Sequence, residues 1–108
     1  MEVLKMLNTF YYWAQEAIPG LPAGVEAQLT PGTVSGNTAA RIDFDTPVRM
    51  GRITCWDSGN FYAEILDTRS GQNLLDRHGT VYSAAGLSSL LVTFLEMLKP
   101  SRGQTAAM

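Results

Sequence analysis

Two residues of this 108-residue chain could form a nucleophilic pair, Cys55 and His78, each the single residue of its type. Such a pair needs an imidazole within hydrogen-bond reach of the thiol and a third group that orients the imidazole. Cys55, however, alternates in phase with Ile53, which marks it as a small core residue. His78 precedes Gly79 in what reads as a loop and is expected to be solvated. A transition-metal site needs several converging His, Cys or carboxylate ligands, and one His with one Cys does not supply them. Asp57-Ser58-Gly59-Asn60 is too short for a calcium loop and lacks its terminal glutamate, so it reads as a plain turn. Asp43 and Asp45 would lie about 7 Å apart on one strand face. That separation suits glycoside hydrolysis, but an open hydrated face offers neither the cleft nor the raised carboxyl pKa that it needs. Neither G-x-G-x-x-G nor a P-loop occurs to cradle phosphate. The chain is therefore expected to be no enzyme, with no catalytic residue, no metal and no cofactor.

What remains is a surface. On the strand assignments given below, Arg41, Asp43, Asp45, Arg52, Thr54, Trp56, Tyr62, Glu64 and Leu66 share the outward face of a sheet. Trp, Tyr and Arg among charges of both signs resemble the make-up of protein interfaces. The plainer alternative is a solvated face with cross-strand Arg–Asp pairs, each contributing about 0.2–1 kcal/mol.

The elements that would carry this face follow from periodicity. Leu4, Leu7, Tyr11, Ala14 and Ile18 recur at helical spacing and predict a helix over 2–18, ended by Pro19-Gly20. The period then becomes two. Val25, Ala27 and Leu29 alternate with polar residues, as do Ala40, Ile42 and Phe44. Residues 31–37, rich in Gly, Ser and Thr, read as the connection between these strands. A third strand over 49–56 turns at Asp57-Ser58-Gly59-Asn60 into a fourth over 61–67. The turn Thr68-Arg69-Ser70-Gly71 leads to a less regular strand over 73–78, and 79–83 reads as a connection. A second helix over 84–98 has Ser83 as its N-cap. It is apolar nearly all round, which predicts deep burial or a face shared with a partner. The fold class is α+β: an antiparallel sheet of four to five strands, flanked by an N-terminal and a C-terminal helix packed on one face. Residues 1–100 form one domain, and 101–108, small and aperiodic, are expected to be a disordered tail.

Composition narrows the ligand. The formal net charge is −2, and the eight Lys and Arg residues are scattered singly among ten acids, which argues against nucleic acid. The start of the chain lacks the basic-then-apolar order of a signal peptide. No window approaches the roughly 20 apolar residues of a membrane span. A single cysteine permits no internal disulfide, in keeping with a cytoplasmic location.

The run Gly51-Arg52-Ile53-Thr54-Cys55-Trp56-Asp57-Ser58-Gly59 resembles the G-R-I-T-x-W-[DE]-S-G segment of the TriTu family of bacterial immunity proteins. The turn Asp67-Thr68-Arg69-Ser70-Gly71 matches that family's following D-x-x-[ST]-G. The alternating strand 40–45 and the terminal leucine-rich helix are also similar. The likeness covers residues 1–98 and is sharpest over 40–71. It implies that the chain binds and neutralises a cognate toxin, an ADP-ribosyltransferase directed against elongation factor Tu, by occlusion and without chemistry of its own. It also implies a protein partner; with nucleic acid and membrane set aside by composition, a monomer in a one-to-one complex is expected. The alternative is a small acidic secretion chaperone or adaptor acting as a homodimer, to which the apolar second helix lends support.

Overall fold

The computed structural model describes residues 5–31 and 39–99. Helix α1 (Lys5–Ala17) passes into a short 3-10 turn, Ile18–Gly20, because Pro19 cannot extend an α-helix. Five strands follow, β1 (Glu26–Thr30), β2 (Ala39–Asp45), β3 (Arg49–Trp56), β4 (Asn60–Asp67) and β5 (Asn73–Thr80), and the chain closes with α2 (Ala84–Leu98). The strands form one sheet in sequence order, each antiparallel to the next. The expected α+β architecture is thus the observed one, with five strands.

Both helices lie on one face, over the apolar half of the strand alternation. Ala40, Ile42 and Phe44 of β2, Ile53 and Cys55 of β3, and Phe61, Ala63 and Ile65 of β4 are buried against Phe10 and Ala14 of α1 and Leu87, Leu90, Phe94 and Leu98 of α2. A fully buried Ile, Leu or Phe contributes roughly 1.5–3 kcal/mol. Phe94 packs against Phe44 with ring centroids 4.7 Å apart and planes tilted by 48°. It sits in a hollow over Gly51, where an added Cβ would meet its ring at 2.6 Å. Trp13 Nε1 donates to Ser88 Oγ at 3.0 Å and ties the two helices together.

Local chemistry explains the element ends. Ser83 caps α2, its hydroxyl accepting from the Gly86 amide at 3.2 Å. Arg49 Nη1 donates to the carbonyls of Met97 and Lys99 at 2.8 and 3.0 Å, placing a cation at the negative end of the α2 dipole. In the β4–β5 turn the Asp67 carboxylate accepts from the amides of Arg69 and Ser70, and Gly71 takes the positive φ of +76° that closes the turn. Gly59 does the same for the β3–β4 turn at φ +95°.

Five expectations need amendment or fall outside the description. The helix expected over 2–18 is α-helical only to Ala17, and its first residues precede the described range. The fifth strand runs on to Thr80, so His78 lies within a strand rather than a loop. Helix α2 is not buried all round: Val92 is 59 % exposed, and Leu91, Leu95 and Met97 are only half-buried. Most of the 31–37 connection and the tail 101–108 lie outside the described residues.

Candidate protein-binding face

Because strand side chains alternate, burying one face of the sheet turns every second residue to the other. Among the described residues no element covers that outer face. The register sets its side chains in rows across the strands. One row runs Thr30, Arg41, Thr54, Tyr62, His78, and the next runs Gln28, Asp43, Arg52, Glu64, Asp76. A third begins Glu26, Asp45, Met50, Leu66, while Trp56 stands opposite Ala39 at the turn end of β3. All eight candidate residues, Arg41, Asp43, Asp45, Arg52, Thr54, Trp56, Tyr62 and Glu64, are therefore brought together on three adjacent strands.

An ion-pair clamp organises the β2–β3 side. Asp43 Oδ1 accepts from Arg52 Nε at 2.6 Å and Oδ2 from Arg41 Nε at 3.0 Å. Partial burial pushes the Asp43 carboxyl up, but the hydrogen bonds and charges of Arg52 and Arg41 outweigh it and hold the group below the ordinary carboxylate value. On the β4–β5 side the Tyr62 ring stacks on the His78 imidazole, centroids 4.3 Å apart and planes 27° from parallel. A hydrogen bond to the Asp76 carboxylate, then partial desolvation and the charges of Asp76 and Glu64, raise the Tyr62 phenol above its usual value. Met50 and Leu66, directly opposite each other, are both exposed.

Sequence reasoning had missed the outer-face residues of β5, Asp76 and His78, and those of β1, Glu26 and Gln28. Strict alternation would have found the β1 pair and Met50. On β5 the run Asp76-Arg77-His78 hides the alternation, since Arg77 points to the helix side yet is exposed.

The same register separates the two residues that could have formed a nucleophilic pair. Cys55 is fully buried on the helix side, whereas His78 is exposed on the outer side, across β4. Burial pushes the Cys55 thiol up to about 11, and its Sγ lies 3.6 Å from the Trp56 carbonyl oxygen. A thiol with that pKa is protonated at neutral pH and is a poor nucleophile. No group of three or more His, Cys, Asp or Glu residues placed to hold a metal occurs among the described residues. No helix among them is long and apolar enough to cross a membrane. What the outer face offers is a broad, hydrated, mixed-charge platform with aromatic and aliphatic islands, the composition of a recognition surface.

The comparison with curated proteins finds no match. The family model described as "Immunity protein TriTu" matches residues 8–97, which span α1, the whole sheet and nearly all of α2. The chain belongs to the TriTu family of immunity proteins.

Proposed function

We propose that the chain neutralises a cognate antibacterial toxin of the ADP-ribosyltransferase class by laying its outer sheet face over the toxin's active site or substrate surface. The immunity family implies a protein toxin as partner. The observation that carries the choice of surface is the outer face itself, left open by both helices and studded with Trp56, Tyr62, Met50 and Leu66 among charges. Trp56 and Tyr62 act as anchors, while Arg41, Asp43, Asp45, Arg52, Thr54 and Glu64 set register and steer encounter. Occlusion requires no turnover by the immunity protein, in keeping with a Cys55 thiol sealed in the core.

The test is survival of cells that co-express this chain with the toxin domain encoded beside it. The double variant Trp56→Ala/Asp43→Arg is expected to lose protection while remaining folded. Tyr62→Ala provides a second, milder probe with the same expected direction. Full protection by both variants, each shown to be folded, excludes this face.

A further inference from the structure

Resting on the docking role of the outer face, we propose that its β3–β5 half seats a basic side chain, lysine or arginine, projecting from the partner protein. Glu64 stands between two cross-strand neighbours, Arg52 on β3 and Asp76 on β5. Arg52 has turned the other way, with its Nε 2.6 Å from Asp43. Among the described residues Glu64 and Asp76 form no ion pair, and they face each other directly as like charges. Like charges at directly opposed sheet positions are destabilising, and the Tyr62 hydroxyl bonded to Asp76 brings no positive charge to offset the repulsion. On the β2–β3 side both guanidiniums are engaged with Asp43, whereas the carboxylates of Glu64 and Asp76 have no ion-pair partner among the described residues.

Shape supports the same occupant. A trough of about 230 Å³ runs beside Glu64, lined also by Asp43, Met50, Arg52, Leu66 and Asn73. Met50 and Leu66 offer an apolar wall, 47 % and 39 % exposed. A lysine or arginine has the matching anatomy, an aliphatic stem that covers such a wall and a charged head for Glu64 in the lining, with Asp76 the cross-strand neighbour of Glu64 on β5. An acidic or purely apolar partner side chain would satisfy one half of the trough and oppose the other.

The experiment measures binding of the purified chain to the toxin domain encoded beside it, across a range of salt. Glu64→Gln/Asp76→Asn is expected to weaken binding roughly tenfold or more and to flatten its salt dependence. Asp76→Lys, which supplies the missing cation from within, is expected to weaken it at least as much. Glu96→Gln on the exposed side of α2 changes net charge without touching the trough, and should bind within about twofold of the parent. Relief of the like-charge repulsion offsets the weakened Tyr62–Asp76 hydrogen bond, so urea stability should stay close to the parent's and lost binding would not reflect lost folding. If the neutral double variant binds like the parent while Trp56→Ala and Tyr62→Ala do not, the basic side chain is excluded and the docking face stands. If all of these variants bind like the parent, the docking face itself is excluded, and the trough's occupant with it.

Discussion

Asp43 shows how a single carboxylate can order a sheet surface without adding much stability. Its side chain is 36 % exposed and those of Arg41 and Arg52 are 45 % exposed, so water screens both ion pairs and each contributes less than about 1 kcal/mol. The contribution does depend on pH. A carboxyl whose folded pKa lies below its unfolded value near 3.8 stabilises the fold fully above that value, and loses this as pH falls through the folded pKa. Asp67 follows the same sign, because the amides of Ser70 and Arg69 stabilise its charged form. Urea midpoints of the parent should thus hold steady from pH 7 to 5 and drop below about pH 4. Asp43→Asn should drop less over that range, since one of the two depressed carboxyls is gone. An equal drop in the two proteins would mean that the clamp seen in the structure does not persist in solution.

At the scale of elements, the contact between α2 and the sheet depends on one absent side chain. Gly51 shares the inner face with Ile53 and Cys55, and the Phe94 ring occupies the space that a Cβ would fill, with the Glu64 carbonyl oxygen at 3.2 Å and Leu98 Cδ1 at 3.3 Å also close. Phe94 is itself fully buried against Phe44 and has no open space to swing into. Gly51→Ala should therefore destabilise the fold by about 1–3 kcal/mol, read as a lower urea midpoint. Gly20→Ala, with nothing within 4 Å of the added Cβ, should shift it far less. This glycine opens the G-R-I-T run, and Gly59 and Gly71 end the two turn motifs, so the most recognisable residues are constraints on packing and backbone. Periodicity located β2, β3 and β4 because each has helices on one side and water on the other, which imposes a clean period of two. It faltered on β5, where the helices stop short of the edge and Arg77, opposite buried Ala63, remains exposed. That is why Asp76 and His78 escaped notice. The role of Gly51 was equally illegible, since it depends on where α2 docks and not on any local pattern.

At the scale of the whole molecule, the question is whether the fold is complete as a single copy. The sequence of α2 had suggested a second apolar side in need of cover, the feature that favoured a homodimeric chaperone. The structure removes that need: Leu87, Leu90, Phe94 and Leu98 are buried by the sheet and α1, while the water-facing side is Ala84, Ala85, Ser88, Ser89, Thr93 and Glu96, with Val92 the one large apolar residue among them. A lone exposed valine is ordinary for a protein surface and provides no dimer interface. The two edge strands also discourage sheet-to-sheet pairing. β1 is only five residues long, and β5 carries Asp76, Arg77 and His78 and follows a register irregularity at Ile65/Leu66. The outer face is dominated by charged and polar residues, unlike the apolar surfaces that obligate homodimers bury. Light scattering on the purified chain should accordingly return the mass of one copy up to at least tens of micromolar, and with the toxin domain added, the mass of one copy of each. A stable dimer of the free chain would mean that a surface read here as solvated is an interface, and would revive the chaperone reading.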